Sequence, residues 1–471
     1  VAERAALERV LASREAELVA ITGRRRVGKT FLVREALRDR IVFELTGSHR
    51  APLAAQLRAF DAAMRASFPG HEGEASSWPD AFERLRAALS RAPRGRRGER
   101  RVIFVDELPW LAARRSGFLP AFEHFWNSWA VTRSDLVVVV CGSAASFMAR
   151  ELLHARGGLH NRVTRHLRLQ PFTVAEADVY LRSRGIDLGR YQTLELYAAL
   201  GGVPHYLRLV ERGESAAAAI DRLCFAPSGE LRGEFERLYA SLFEHPERHV
   251  AVVRALGAAP RGLGRGELAA RAGLASGGTV TKTLEDLEES GFVLRTPQLG
   301  HAVRDAVYRL GDEYSLFHLR WVEPHRGQTA NVWQKRRGTP AWRAWSGYAF
   351  EAICHKHVTR IKRALGVEAV ETTESSWRHR GAEGESGAEV DLVIDRRDET
   401  INLCEMKLCE GTFTIDKRYA AELRDKRAIF RRVTGTKKAL LTTLVTTHGV
   451  ADNAHARGVV DAQVTADALF D

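Results

Sequence analysis

Residues 23–30 read GRRRVGKT, which is a complete G-x-x-x-x-G-K-T pattern. An apolar run typical of a strand precedes it at residues 15–22, and a helical pattern begins at Phe31. The glycines of such a loop let backbone N–H groups surround phosphate oxygens, while Lys29 neutralises the β and γ oxygens and Thr30 ligates Mg²⁺. The stretch therefore predicts a site for ATP and Mg²⁺, with a chance glycine-rich turn as the alternative.

The composition of the chain gives Lys29 additional weight. Counting the sequence gives ten lysines against 61 arginines, and no other lysine precedes Lys282. Because lysine is so rare in this part of the chain, we expect Lys29 to have a specific role. We expect the loop and the first residue of its helix to contact the nucleotide through Gly23, Arg24, Arg25, Arg26, Val27, Gly28, Lys29, Thr30 and Phe31.

Two further apolar runs end in polar residues that suit the same chemistry. VIFVDEL at residues 102–108 supplies Asp106, which suits a Mg²⁺ ligand, and Glu107, which suits polarisation of the attacking water. DLVVVVCGS at residues 135–143 ends at Ser143, which we expect to contact the γ-phosphate or the water. A solvated turn after the first run and a simple strand end after the second are the alternatives.

Strand patterns alternate with helical patterns through the first part of the chain. Besides the three already described, IVFELTG and HLRLQPF read as strands. Strands separated by helical stretches indicate a doubly wound parallel sheet. The sequence therefore predicts an α/β fold class, beginning with a nucleotide-binding parallel sheet.

A second group of polar residues lies near the carboxyl end of the chain. Asp391 lies in EVDLVID, and CEMK supplies Glu405 and Lys407 on the next strand pattern. Asp391 and Glu405 can hold Mg²⁺ between them while Lys407 steadies or deprotonates a water, and Glu351 in the upstream helix completes the carboxylate set. The alternative is an ordinary salt-bridged pair of strands.

Residues 1–240 resemble the AAA+ and STAND-like P-loop ATPases, specifically the family described as ATPases predominantly from Archaea. The matching stretches are GRRRVGKT, VIFVDEL, VVVVCGS and LGGVPHYL. The resemblance implies a helical lid near the nucleotide, in which Gly201, Gly202 and Pro204 form the GGxP turn; a plain helix-breaking turn is the alternative. Arg162 is the candidate for an arginine that acts on the γ-phosphate.

The last part of the chain is similar to the uncharacterised C-terminal module that follows such ATPases. The matching stretches are GYAFEAICHKHV, IKRALG, AEVDLVIDRRDETINLCEMK and FTIDKRYAAELRDK. The order helix-Glu, strand-Asp, strand-ExK is that of the restriction-endonuclease-like, or PD-(D/E)xK, core. The resemblance implies an ATPase joined to a nuclease-like fold, either a metal-dependent nuclease or an inactive module that binds protein or nucleic acid.

Between these parts, residues 247–310 show three helical patterns followed by a short hairpin, which is a winged-helix order. Thr279, Thr281 and Lys282 begin the third helix and suit phosphate and base-edge contacts. The remainder of that helix, LEDLEESG, is acidic, so protein interaction stands beside DNA binding. The tryptophan-rich stretch with Trp333, Trp342 and Trp345 suggests packing between domains.

Composition limits the remaining choices. The 471 residues carry a formal charge of +12, and 45% are hydrophobic and 28% charged, which is typical of a folded protein of several domains. No run approaches the roughly 20 apolar residues of a membrane span, the N-terminus does not read as a signal peptide, and the five cysteines form no C-x-x-C pair. We expect a cytoplasmic protein without a membrane partner, with DNA as a partner and homo-oligomerisation left open.

The predicted domains are a P-loop ATPase core at residues 1–172, a helical lid at 173–245, a winged-helix domain at 246–322, a linker at 323–340 and a restriction-endonuclease-like α/β domain at 341–471.

Overall fold

The computed structural model describes residues 2–92, 99–113, 115–143, 145–148, 152, 161–275, 277–299, 306–328, 331–381 and 386–471. The chain divides into two compact units, residues 1–170 and residues 171–471. The segments predicted as lid, winged helix, linker and nuclease-like domain all lie in the second unit, together with residues 171 and 172, which the sequence placed at the end of the core.

The first unit is built on a five-stranded parallel sheet with strand order β2-β3-β4-β1-β5. Its elements are α1 (Ala2–Ala12), β1 (Glu17–Thr22), α2 (Lys29–Leu37), β2 (Ile41–Thr46), α3 (Leu53–Ser67), α4 (Trp78–Arg91), β3 (Arg101–Asp106), α5 (Leu108–Leu111), α6 (Phe118–Ser128), β4 (Leu136–Gly142), α7 (Ala145–Met148) and β5 (Arg165–Arg168). The α/β class and the parallel sheet are confirmed.

Apolar side chains cover both faces of this sheet. Along β1, Leu18 and Ala20 lie in one core, and Val19 and Ile21 lie in another. Helices α1 and α2 supply the second core, whereas α3, α4 and α6 supply the first. Continuous burial of β1, β3 and β4 is the reason their sequences are apolar throughout.

The strand order places a crevice at the carboxyl end of β1. The chain leaves β1 for the distant edge strand β2, returns through β3 and β4, and then crosses to β5 on the other side of β1. Connections that diverge on either side of one strand leave an opening at its carboxyl end, which is where open parallel sheets bind ligands. The loop at residues 23–28 lies at this position.

The second unit begins with helices: α8 (Val174–Ser183), α9 (Arg190–Leu200), α10 (Pro204–Leu207), α11 (Ala216–Ile220) and α12 (Glu234–Leu242). The break between α9 and α10 needs both of its glycines. Gly201 has a φ of +66°, which side chains rarely adopt. A Cβ on Gly202 would lie 1.8 Å from Phe172 O, and Phe172 N donates to Gly202 O at 2.7 Å.

The next segment contains three helices and a small antiparallel sheet with strand order β6-β8-β7. Its elements are α13 (Pro246–Gly257), β6 (Leu263–Gly264), α14 (Arg265–Arg271), α15 (Gly278–Glu289), β7 (Val293–Thr296) and β8 (Val307–Leu310). We call the described part of residues 246–310 the hairpin module.

A cluster of aromatic rings follows the hairpin module. After α16 (Glu313–Phe317), Trp321 lies edge-to-face with Trp333, which belongs to α17 (Val332–Arg336), and with Trp345. Trp333 and Trp345 are 0% and 8% exposed. These tryptophans therefore pack in the core of the second unit rather than offering surfaces to bases.

The second unit ends in a mixed five-stranded sheet with strand order β13-β12-β11-β10-β9. Its elements are α18 (Pro340–Lys356), α19 (Val358–Ala364), β9 (Thr372–His379), β10 (Ala388–Arg396), β11 (Thr400–Lys407), α20 (Lys417–Thr434), β12 (Ala439–Thr446), α21 (Ala454–Arg457) and β13 (Ala462–Thr465). Strands β9, β10 and β11 are antiparallel, and β11, β12 and β13 are parallel. In the part of the chain that the structure describes, no helix has the length and apolar character needed to cross a membrane.

Replacing Gly202 with alanine should destabilise the second unit, because the new methyl group overlaps Phe172 O. We expect a loss of about 1–3 kcal/mol, which is usual for overpacking a tight site, observed as a lower melting temperature of the full chain. Gly266→Ala is the matched control, since that glycine lies in α14 and a Cβ added to it would meet no atom within 4 Å. Equal melting temperatures for the two variants would contradict the assignment.

Candidate functional site

The loop after β1 has the backbone that its glycines permit. Gly23 and Gly28 have φ values of +146° and +94°, and Arg26 lies in the same left-handed region at +74°. A Cβ on Gly23 would lie 2.3 Å from Leu169 O, so this glycine is required by space as well as by conformation. The loop therefore curls tightly at the carboxyl edge of the sheet, immediately before helix α2.

Lys29 is buried at the centre of the loop. Its Nζ donates to Gly23 O at 2.8 Å, Arg24 O at 3.0 Å and Ser143 Oγ at 3.3 Å. Burial lowers the pKa of Lys29, while the nearby Glu107 and Asp106 carboxylates act in the opposite direction. The ammonium is thus surrounded by oxygen atoms and lies where an anion in the loop would meet it.

The residue after Lys29 reaches the neighbouring strand β3. Thr30 Oγ1 donates to Asp106 Oδ2 at 2.6 Å, and Asp106 Oδ1 accepts from Glu107 N at 3.0 Å. A hydroxyl and a carboxylate in direct contact are hard oxygen ligands of the kind that Mg²⁺ prefers. The residues present therefore fit a magnesium ion held by Thr30 and Asp106.

Glu107 is held against the end of β4. Its φ of +48° lies in the left-handed region, which for a residue other than glycine is often associated with a functional site. Ser143 donates to the Glu107 carboxylate twice, through its backbone N at 3.2 Å and through its hydroxyl. Lys29, Glu107 and Ser143 are therefore linked by hydrogen bonds at the carboxyl edge of the sheet.

The remaining predicted nucleotide contacts differ in their surroundings. Arg24 and Val27 are buried, each 3% exposed, whereas Phe31 is 70% exposed on the first turn of α2. The Arg25 guanidinium lies 5.8 Å from the centre of the Trp110 ring, a contact that the sequence did not indicate.

Arg162 is not brought to this loop within the first unit. It lies in the turn before β5, and β5 runs parallel to β1 with Arg165 opposite Val19. Arg162 is therefore at the amino ends of the strands, whereas the loop follows their carboxyl ends. The structure does not support its action on a phosphate bound in the same chain's loop.

The second candidate site lies on the sheet of the second unit. Glu405 is 2% exposed, and its Oε2 accepts from Lys426 Nζ at 2.7 Å. Lys407 Nζ lies 3.6 Å from the same oxygen and 5.7 Å from the centre of the Tyr419 ring. Burial is the main cause that raises the pKa of Glu405, and the nearby Asp391 carboxylate is the second. Lys426 and Lys407 oppose this rise.

Asp391 lies at an irregularity in the sheet. The register between β9 and β10 shifts between Val390 and Val393, so the pairing is interrupted at Asp391. Bulges of this kind redirect a side chain and are common beside active sites. The Asp391 Oδ2 atom accepts from Met406 N at 2.9 Å, which places its carboxylate beside the strand that carries Glu405 and Lys407.

The structure brings Glu351 to the same place. Glu351, Asp391, Glu405 and Lys407 all line one cavity of about 920 Å³. Burial and the Asp391 carboxylate raise the pKa of Glu351 to about 8. The four residues that the sequence selected therefore converge on one cavity.

One feature of these carboxylates favours binding of a divalent cation, and their spacing does not. Glu405 Oε1 is buried and has no hydrogen-bond partner, which leaves one oxygen available to an ion. However, Glu351, Asp391 and Glu405 do not form a group with all ligand atoms within 4.8 Å. Within the described ranges such a group is found at Glu236, His318 and Glu323 instead.

Sequence reasoning missed several residues around the second site. Lys426 and Tyr419 reach Glu405 from α20, and the scarcity of lysine that drew attention to Lys29 was the available signal for Lys426. Arg309 of β8 donates to His355 Nε2 at 3.0 Å, and His355 hydrogen-bonds to the backbone of Asp391. Burial lowers the pKa of His355 to about 3, so its ring is neutral in these contacts.

No family model matches the chain. The chain is similar to the uncharacterized protein MJECL04 of Methanocaldococcus jannaschii, at 22% identity over 414 residues and 85% of each chain.

Among solved structures, it is similar to the Walker-type ATPase PABY2304 of Pyrococcus abyssi, at 19% identity and a TM-score of 0.49, covering 68% of this chain and 95% of that one. It is also similar to the ORC2 protein of Aeropyrum pernix in its ADPNP and ADP complexes, at 14% identity and a TM-score of 0.41, with 72% and 94% covered. A RuvB variant of Thermotoga maritima follows at 15% identity and 0.31, with 62% and 84% covered. The roles of individual residues rest on the geometry described above.

The raised pKa of Glu351 predicts a pH-dependent effect of Glu351→Gln. The folded carboxyl stays protonated up to about pH 8, against an ordinary value of 4.5, so the folded wild type loses stability as the pH rises through this interval. Glutamine cannot ionise. We therefore expect the variant to gain several kcal/mol, up to about 5 kcal/mol, relative to wild type by pH 8.5, and little at pH 4.5, since each pH unit between 4.5 and about 8 corresponds to about 1.4 kcal/mol.

Urea unfolding in EDTA buffer across this pH range checks the expectation. Glu410→Gln is the control, because Glu410 is exposed. A difference between Glu351→Gln and wild type that stays constant with pH would contradict a buried, protonated Glu351.

Proposed function

We propose that the protein is a P-loop ATPase of the AAA+ type whose nucleotide state controls a nuclease-like C-terminal domain. The observation that carries this proposal is the buried Lys29 ammonium, enclosed by loop carbonyls and Ser143 at the carboxyl edge of a parallel sheet. A buried cation at the mouth of a glycine loop is suited to a phosphate chain.

The residues around the loop divide the work of ATP hydrolysis. Backbone N–H groups of residues 23–30 and the Lys29 ammonium bind and orient the β- and γ-phosphates. Glu107 accepts a hydrogen bond from the attacking water, and Ser143 holds the Glu107 carboxylate in place through two donors. Mg²⁺ bound by Thr30 and Asp106 would neutralise charge on the phosphate oxygens.

The second unit supplies the output of the switch. Glu351, Asp391 and Glu405 would hold a divalent cation in the cavity, and a cation bound there would supply Lewis-acid chemistry toward a phosphodiester and a water. Lys407 orients that water or takes its proton. ATP and its hydrolysis products would differ in affinity for two arrangements of the chain, which is the requirement for a nucleotide-driven change.

A second function is favoured by one specific observation. The three carboxylates of the cavity are not gathered within metal-binding distance of one another. An ATPase switch whose C-terminal domain binds nucleic acid or protein without cutting it is consistent with this arrangement. Both functions include the assignment of the hairpin module as a winged helix and DNA as a partner.

Removal of the Lys29 ammonium tests the ATPase proposal. We expect Lys29→Ala to lower ATP affinity at least about tenfold, because hydrogen bonds to charged groups contribute roughly 1.5–3 kcal/mol. Titration calorimetry with ATP and Mg²⁺ measures the change. Lys335→Ala is the matched control, since Lys335 is exposed on α17. Glu107→Gln should keep the affinity but lower hydrolysis by about 10²–10⁴-fold. Wild-type affinity in Lys29→Ala would refute the site.

Cleavage assays separate the two functions of the C-terminal domain. With ATP and Mg²⁺ or Mn²⁺, the nuclease function predicts cleavage of DNA by the full chain and a loss of about 10²–10⁴-fold in Lys407→Ala. Lys437→Ala is the control, because Lys437 is exposed beyond α20. If wild type cuts neither DNA nor RNA, the nuclease function is wrong and the scaffold function stands.

A further inference from the structure

Three exposed arginines line the same cavity as Glu351, Asp391 and Glu405. Arg261, Arg343 and Arg418 are exposed, whereas Glu405 at the floor is 2% exposed. The three come from separate elements: the turn between α13 and β6, helix α18 and helix α20. We call these three residues the arginine rim.

Arg261 is notable because it belongs to the hairpin module and not to the C-terminal sheet. Its Nε lies 3.4 Å from a Glu389 carboxylate oxygen on β10, and its side chain is 54% exposed. An ion pair this exposed contributes little energy and leaves guanidinium donors facing solvent. Arg261 is therefore positioned over the cavity and still able to bind an anion.

The turn that carries Arg261 is fixed to the C-terminal sheet. A Cβ on the neighbouring Gly262 would lie 2.7 Å from Arg309 Cγ, so the turn packs directly on Arg309. Arg309 in turn donates to His355, which hydrogen-bonds to the backbone of Asp391.

A second contact lies after β7. Ser376 of β9 accepts from Leu299 N and donates to Pro297 O, both at 3.3 Å. The hairpin module is thus attached to the C-terminal sheet at two places, which holds Arg261 at the mouth of the cavity.

The exposed side of the cavity carries charges of both signs, because Glu422 and Asp425 of α20 are exposed like the three arginines, whereas Glu405 is buried. The cavity lining has six acidic residues, Glu351, Glu389, Asp391, Glu405, Glu422 and Asp425, and five basic residues, Arg261, Arg343, Lys407, Arg418 and Lys426. With every group ionised the formal sum is −1; the protonated Glu351 brings it to 0, and a single divalent cation would make it positive. Guanidinium groups at the rim above a carboxylate floor match a polyanion whose backbone approaches a bound cation.

We propose that the arginine rim binds the sugar-phosphate backbone of nucleic acid, and that the hairpin module contributes to this binding through Arg261 rather than through the start of α15. The inference rests on the proposed nucleic-acid function of the cavity. Backbone contacts carry no base information, so the binding is independent of sequence. Lys282 is the only basic residue of α15 and is followed there by four acidic residues, whereas Arg261 shares its cavity with two further exposed arginines.

Salt-dependent binding by the full-length protein tests this assignment. Fluorescence anisotropy of fluorescein-labelled duplexes is measured over a KCl series, with Ca²⁺ in place of Mg²⁺ to prevent cleavage. For Arg261→Gln we expect the negative slope of log K against log salt to become shallower by about 0.9 and affinity to fall about two- to fivefold. Arg261→Lys should restore most of the slope, Lys282→Gln should match wild type, and duplexes of unrelated sequence should bind equally.

The outcomes separate this inference from the function on which it rests. If wild type binds nucleic acid and Arg261→Gln keeps the wild-type slope, the role of Arg261 is wrong while the nucleic-acid function stands. Loss of slope in Lys282→Gln alone would assign the contact to α15 and overturn the inference. If wild type binds no nucleic acid in Ca²⁺, the nucleic-acid function itself is wrong; far-UV circular dichroism and the urea unfolding transition of the same preparation show that both units are folded.

Discussion

Burial of the Lys29 ammonium is the constraint on which the first unit depends. A cation removed from water must be surrounded by oxygen atoms, or its charged form becomes too costly. The loop supplies two carbonyls, and Ser143, the residue after β4, supplies a hydroxyl. This is possible because β1, β3 and β4 are parallel neighbours, so that the residues that follow them meet at one edge of the sheet. The all-apolar strands and the left-handed Gly23 are consequences of bringing those ends together.

The cavity of the second unit also removes charged groups from water, but here the groups are carboxylates. Glu405 and Glu351 are carboxylates beside Asp391, and burial raises the pKa of both. Lys426 from α20 pairs with Glu405 at 2.7 Å, which compensates one of the negative charges. Lys407 lies farther from it, at 3.6 Å, and is the more exposed of the two lysines, with 32% of its side chain accessible against 19%. The arrangement leaves Lys407 on the open side of the cavity.

The sequence predicted what depends on local pattern and missed what depends on long-range contact. Uniformly buried strands such as β4 are readable because every position is apolar, and the ExK residues are readable by spacing. Strand β9 was missed, since TTESSWRH has no regular alternation. The stretch SGYAFEAICHKHVTRIKRALG at residues 346–366 reads as one helix in sequence, but the structure divides it at His357, whose Nε2 accepts from Val174 N. A contact across 183 positions leaves no signal in either local pattern.

Net charge illustrates why position matters more than total. The +12 of the chain reflects an excess of arginine distributed over the whole sequence, and many of these arginines are in ion pairs, such as Arg254 with Glu323. Within a Debye length of about 8 Å at physiological salt, a phosphate responds to its local neighbours and not to the sum. Arg343 and Arg418 are exposed over the cavity, and among the described residues neither makes an ion pair. Lys282, the only lysine of α15, is followed on the same helix by Glu285, Asp286, Glu288 and Glu289. The proposed contact with a polyanion therefore depends on a cation bound among the carboxylates of the cavity, whose lining otherwise has one more acidic than basic residue.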